Sequence, residues 1–281
     1  MTMPTRSSAP GNERPLLEVS GLSATYGFGR HSTHVLDDVS LTLPSGRTMG
    51  VVGESGSGKS TLAKVMVGTL GALKGSVEIG GVDVSRARGA ERRSLRRSVQ
   101  MIPQDPYASL DPRMTIGRTL REAIAPRGGR ESKHRDRIVE LLELVSLDAS
   151  AAHRYPHEFS GGMRQRVAIA RAIAVQPALL IADEVTSALD ASIQFEILAL
   201  LDRLQRELGF GCVFITHNLG VAARMCDEIT VMRYGRVVEQ GPISLLANPS
   251  HPYTRVLVGS VPDPDGRFLT NTSAYESTST A

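Results

Sequence analysis

The sequence predicts an α/β fold: a core sheet with buried parallel strands, an antiparallel β subdomain beside it, and an inserted α-helical subdomain. Three observations carry that expectation. Short strand-like runs separated by tight turns fill the first third of the chain. After Gln104 the pattern turns helical, and from Arg164 onward strands and helices alternate. The order β, helical block, α/β places the helical block inside an α/β core.

The first runs are LLEVSGL from Leu16, VSLTL from Val39, TMGVV from Thr48 and SVEIGGVDV from Ser76, with PSGR and GG as turns between them. They read as an antiparallel region next to the strand TMGVV. Residues 116–147 are helical in pattern, with Ile138, Leu141, Leu142 and Val145 on one face, and end in the loop HRYPHEFSGG. ALLIAD (178–183) is continuously apolar, as a parallel strand buried on both faces must be. Ile193, Ile197, Leu200, Leu201, Leu204 and Leu208 mark one side of a helix. CVFIT (212–216) is a further buried strand, and ITVMRYGRVVEQG a hairpin turning at Tyr234-Gly235. Residues 1–14 read as a disordered leader, 15–249 as the folded domain with its helical subdomain at about 105–170, and 250–281 as a short extension with a loose tail.

Composition sets bounds. A chain of 281 residues that is 41% hydrophobic and 22% charged is an ordinary globular protein. The net charge of +3 does not call for nucleic acid. Six arginines cluster between Ser85 and Arg97, a run that could meet phosphates or an anionic membrane surface but is first expected to form a solvated helix face. The two cysteines, Cys212 and Cys226, lack metal-ligand spacing and read as reduced core thiols of a cytosolic protein. The N-terminal residues have no apolar central stretch and no run reaches membrane-spanning length, so action at a membrane would require a partner.

The chemistry sits in two stretches. GESGSGKST, Gly53 to Thr61, fits the P-loop pattern G-x-x-x-x-G-K-[ST] between a strand and a helix. Gly53, Ser55, Gly56, Ser57 and Gly58 let backbone N–H groups wrap phosphates. Lys59 reaches the β/γ oxygens, the Ser60 hydroxyl can bind Mg²⁺, and Thr61 follows in the opening helix turn. IADE then delivers Asp183 to a strand end as a second Mg²⁺ ligand, and Glu184 beside it suits polarising an attacking water. A third stretch, FSGGMRQR from Phe159, opens a helix with Ser160, Gly161 and Gly162, the recipe for a second anion site.

Together GESGSGKST, QDP at Gln104, FSGGMRQR, IADEVTSALD and ITHN resemble, in order, the motifs of the ATP-binding cassette (ABC) ATPases, which are P-loop NTPases with a RecA-like core. The resemblance covers roughly residues 16 to 245. It implies ATP and Mg²⁺ as ligands, Gln104 as the Q-loop residue at the metal or water, and Asp190 in the loop after the catalytic acid. It also implies His217 as the switch histidine, leaving Glu184, His217, Gln104 and Lys59 as the catalytic group, and Tyr26 as the aromatic residue on adenine. In this family two cassettes sandwich ATP head to tail, so the second anion site would serve the partner's nucleotide.

QDPYASLDPRMT (104–115), SGGMRQR and NPSHPYTRVLVGSVP narrow the resemblance to the oligopeptide, dipeptide and nickel importer branch. That implies permease subunits, a second ATPase subunit (self or paralogue), an extracytoplasmic solute-binding protein acting indirectly, and a place on the cytoplasmic face of the membrane. Nucleic acid is not an expected partner: such cassettes usually come paired or with a long coiled-coil insert, and this chain has one P-loop. A non-hydrolysing regulatory cassette would be expected to lack Glu184 or His217. Tyr107, Leu110 and Met114 read as apolar anchors for a permease coupling helix, on a segment that Pro106 and Pro112 keep from forming regular helix. Val185 stands where the family usually has proline, and Pro103 where it usually has an aromatic or aliphatic residue. The cysteine-free tail excludes the iron–sulfur cluster of some branch members.

Overall fold

The computed structural model describes residues 14–26, 33–126, 133–187 and 189–261. The expected leader and the tail beyond residue 261 lie outside them, except that Arg14 is described. Strands β1 (Leu17–Tyr26), β2 (Thr33–Leu43) and β3 (Thr48–Val52) lead into helix α1 (Lys59–Met66). Next come β4 (Lys74–Ile79), β5 (Val82–Asp83), α2 (Gly89–Ser98) and β6 (Val99–Ile102). The helical stretch holds α3 (Pro106–Ser109), α4 (Ile116–Ile124), α5 (Arg135–Leu144) and α6 (Gly161–Ile173). Then follow β7 (Leu179–Asp183), α7 (Ala191–Leu208), β8 (Gly211–Thr216), α8 (Leu219–Met225), β9 (Glu228–Arg233), β10 (Arg236–Pro242) and α9 (Pro252–Gly259).

Two sheets organise these elements. β2-β1-β4-β5 form an antiparallel sheet, as the alternation in the first third predicts; β2 begins at Thr33, earlier than the run at Val39 suggested. The second sheet has the order β10-β9-β3-β8-β7-β6 and is parallel except for β10, which returns from β9 through the expected turn at Tyr234-Gly235. Both turn residues have positive φ, 48° and 77°, as a two-residue hairpin of matching twist requires.

The apolar runs follow from where this second sheet sits. Leu180 and Ala182 of β7, with Cys212 and Phe214 of β8, face a core shared with α4 to α8. Leu179, Ile181, Val213 and Ile215 face another core, shared with α1 and the antiparallel sheet. A strand buried on both faces has no position for a polar side chain, so alternation vanishes. Ile138, Leu141, Leu142 and Val145 are buried as their spacing predicts. Leu208 is not: at the end of α7 it is 42% exposed. The register fixes the helix face, and the last turn simply outruns the core. α2 exposes its arginines and buries only Leu95, the solvated face expected of that segment.

Register also decides where the chemistry goes. Val52 pairs with Thr216, Ile215 with Asp183, and Ala182 with Ile102. The carboxyl ends of β3, β8, β7 and β6 therefore finish along one edge, and the chain leaving each is a different motif.

Candidate nucleotide site

At that edge β3 runs into the glycine loop. Gly53 has φ +152°, and an added Cβ would lie 2.2 Å from the Met232 carbonyl oxygen of β9, so no other residue fits there. Lys59 is buried, and its ammonium donates to the Gly53 carbonyl (2.8 Å), the Glu54 carbonyl (2.8 Å) and Ser57 Oγ (3.3 Å). Burial pushes its pKa down, opposed by the nearby carboxylates of Glu184, Asp183 and Glu54. Gly56 has nothing within 4 Å of its Cβ position, which leaves the mouth of the loop open. Thr61 is buried in the first turn of α1.

Asp183 ends β7 with its carboxylate 3.2 Å from Ser60 Oγ, which donates to it. Burial raises the Asp183 pKa. A buried carboxylate beside a hydroxyl, at the mouth of a phosphate loop, has the hard-oxygen donors Mg²⁺ prefers, completed by phosphate and water oxygens. No group of three His, Cys, Asp or Glu side chains that could hold a metal ion lies among the described residues.

Glu184 is the strained residue of the site. Its φ of +47° is unusual for a side chain with a Cβ, and its N–H donates to the Ile215 carbonyl (3.0 Å), tying the turn to β8. Its carboxylate is flanked on both sides. Gln104, just beyond β6, donates Nε2 to Oε2 at 2.9 Å, and His217, just beyond β8, places Nδ1 3.4 Å from Oε1. Gln104 thus presents its amide nitrogen to the acid here. Val185, in place of proline, is buried in the core and disturbs none of this.

The other predicted residues lie around this centre. Tyr26 ends β1, is 44% exposed, and its hydroxyl accepts from Lys64 Nζ of α1 at 2.8 Å. Ser160 caps α6 by accepting from Met163 N–H (3.4 Å). An added Cβ at Gly161 would meet Leu189 at 3.4 Å and one at Gly162 would meet Ile193 at 2.6 Å, so the neighbours of this helix start belong to the first turn of α7 and the segment before it. Asp190 precedes α7 and is exposed, its side chain making no capping bond.

Two expectations for the docking segment change. Pro106 does not keep residues 106–109 from helix. It opens the one-turn α3, capped by the Asp105 carboxylate accepting from Tyr107 N–H, because proline suits a first helical turn. Leu110 is 3% exposed and belongs to the core, whereas Tyr107 is 57% exposed with the Arg164 guanidinium 3.8 Å above its ring. Sequence reasoning missed Arg164, although its place in FSGGMRQR carried the signal. It also missed Tyr253, in the HPYT stretch of the extension, as a site neighbour. Tyr253 accepts from Glu54 N–H at 3.2 Å.

The family described as "ABC transporter" matches residues 36–187. A Brucella ovis protein named for ATP binding in peptide import is 43% identical over 255 residues, 90% of this chain and 80% of that protein. The oligopeptide transport ATP-binding protein OppD of Mycobacterium tuberculosis is 43% identical over 269 residues, 92% of this chain but only 44% of that longer protein. Among solved structures, CbiO1 of Clostridium perfringens, part of the ABC transporter complex CbiONQ, superposes with TM-score 0.74 at 28% identity over 84% of this chain and 92% of that one. The dimeric ATP-binding cassette MJ0796 with ADP and Pi gives 0.70 at 29% identity over 81% and 98%.

Proposed function

The chain belongs to the ABC transporter family, as an ATP-binding cassette ATPase, and on that premise we propose that it is the energy-coupling subunit of a peptide importer. The observation that carries the mechanism is the enclosure of Glu184 between Gln104 and His217, at strand ends aligned with the glycine loop. The relatives named for peptide import and oligopeptide transport support the substrate class. The neighbour from a transporter complex supports permease partners, and the dimeric neighbour a second cassette. The solute-binding protein acts through the permease, and nucleic acid has no part. No helix among the described residues is long and apolar enough to cross a membrane; the proposed place, on the cytoplasmic face of the membrane, follows from the permease partnership.

In this reading residues 15–249 form the ATPase domain, with the helical subdomain at about 105–170, and the chain from 250 is an extension. Tyr26 stacks on adenine while N–H groups from Ser55 to Thr61 wrap the phosphates. Lys59 gives up the Glu54 carbonyl and Ser57 Oγ for β/γ oxygens and keeps the Gly53 carbonyl. Ser60 and Asp183, with Gln104, would hold Mg²⁺, which neutralises phosphate charge and holds the γ-phosphoryl in line for attack. Glu184 takes the proton of the attacking water, and His217, 3.4 Å from it, keeps the carboxylate aimed. Ser160, Gly161 and Gly162 cover the γ-phosphate of the partner's nucleotide, with Asp190 beside them at the interface. Closure and opening of the pair then move the permease between access states.

The test is purification in gentle detergent followed by reconstitution. The expected outcome is a complex with permease subunits whose peptide uptake requires ATP. An ATPase that co-purifies with no membrane protein contradicts the importer assignment.

A further inference from the structure

The extension after β10 reaches back to the glycine loop. Glu239 of β10 anchors its start. Oε1 accepts from Ser250 N–H (2.7 Å) and Ser250 Oγ–H (2.6 Å), and Oε2 accepts from His251 N–H (3.2 Å). Burial opposes ionisation of this carboxylate, but its hydrogen-bond donors, Ser250 foremost, hold its pKa down to about 2. His251 then caps α9 by accepting from Tyr253 N–H at 3.2 Å. This train places the Tyr253 side chain, 5% exposed, behind the loop. The Arg233 guanidinium lies 4.6 Å from the Tyr253 ring and 4.8 Å from that of Tyr234, closing the far side.

What Tyr253 touches matters. Glu54 N–H, which it binds, and the Gly53 carbonyl, which holds Lys59 Nζ at 2.8 Å, are two ends of one peptide unit. That unit is planar and rigid, so fixing one end fixes the direction of the other. Gly53 has no Cβ to resist rotation of this plane, and the Met232 carbonyl and Ser57 Oγ are what crowd it among the described residues. The tyrosine hydroxyl supplies the missing constraint from a segment 199 residues away in sequence and outside the span 36–187 matched by the family.

We propose that Tyr253 is a positioning residue for the phosphate cradle: its hydroxyl sets the Gly53–Glu54 peptide that seats Lys59, and α9 is the brace that delivers it. The inference rests on Lys59 being the phosphate-binding lysine. A preformed loop costs less to order when nucleotide arrives, so the brace acts on affinity rather than on the chemical step.

Tyr253→Phe in the full chain removes the hydroxyl and keeps the ring. MgATP and MgADP dissociation constants, measured by titration calorimetry, should both rise by about 3- to 10-fold, the range set by one hydrogen bond. Turnover at saturating ATP, measured with the partner cassette, should be unchanged. Exchange of the Glu54 amide should accelerate while β7 stays protected. A fall in Tm with both dissociation constants unchanged makes Tyr253 merely structural and overturns the proposal, as does loss of turnover at unchanged affinity. Glu239→Gln, which loosens the anchor without touching Tyr253, should shift both constants in the same direction and by less. This second variant decides the matter if the phenylalanine variant does not fold, since unchanged affinity in it also overturns the proposal. Lys59→Ala in the same assay separates the premise: affinity equal to wild type there removes the reading of Lys59 itself.

Discussion

The two glycine-bearing anion cradles of this chain are built differently. The first, Gly53 to Ser60, is finished from within. Lys59 is buried in it, Ser57 O accepts from Gly235 N–H at 3.0 Å, and Tyr253 holds the Glu54 N–H. The second, Ser160 to Gly162, is the start of α6. Ser160 and Gly161 are exposed, and Ser160 accepts from the N–H groups of Met163 and Arg164, within the helix it opens. One cradle has a lysine, a metal-type carboxylate and a catalytic-type acid aligned beside it, and the other offers a helix start with its dipole and the nearby Arg164. That asymmetry is what the proposed shared site demands, in which each chain would carry one complete half and one covering half.

The contrast can be attacked first at its catalytic side. Glu184→Gln keeps the shape of the side chain but cannot take a proton, so turnover should fall by about 10²-fold or more while ATP still binds. Wild-type turnover, assayed by phosphate release with the partner cassette, removes Glu184 as the base. Lys59→Ala should weaken nucleotide binding itself by about 10- to 100-fold, the range for hydrogen bonds to a charged group. Equal loss from a change in the second cradle would erase the difference between them.

Smaller effects are expected where the site meets its surroundings. Tyr107→Ala should lower transport several-fold and loosen the permease, with ATP affinity intact, because its ring is exposed beside Arg164. Pairing it with Leu110→Ala would confuse the result: Leu110 is core, and truncating a buried leucine costs about 2–5 kcal/mol. Full co-purification and uptake by the single variant place the docking surface elsewhere. The smallest effect is the pH dependence of the brace. Glu239 is held at about 2, below its ordinary value, so its contribution is present above the unfolded carboxylate range and fades as pH falls toward 2. Hydrogen exchange across α9 at descending pH should show loosening there. In Glu239→Gln that pH dependence should disappear.

Much of this was legible in the sequence because the motifs are local. GESGSGKST and IADE each sit on one strand end, and the apolar runs of β7 and β8 announce burial on both faces. What escaped was long-range. Nothing near Tyr253 says that it meets Glu54, and nothing in QDPYASL says that Leu110 turns inward while Tyr107 turns out. Both depend on how α9 and α3 are carried onto the core by contacts with distant elements. Leu208 shows the same limit from the other side: periodicity continued past the point where the core ends.

That the second cradle works on another chain's nucleotide is tested most directly by Gly161→Asp in a Glu184→Gln background. Among the described residues a Cβ at Gly161 meets the end of the Leu189 side chain at 3.4 Å, so the aspartate sets a negative charge at the start of α6. Sedimentation with MgATP, beside nucleotide titration of the isolated subunit, reads both halves at once. A cradle that acts in trans predicts unchanged ATP affinity in the monomer and no ATP-driven dimer, where the Glu184→Gln parent forms one. Loss of monomer affinity would contradict it, because the motif would then serve the chain's own nucleotide.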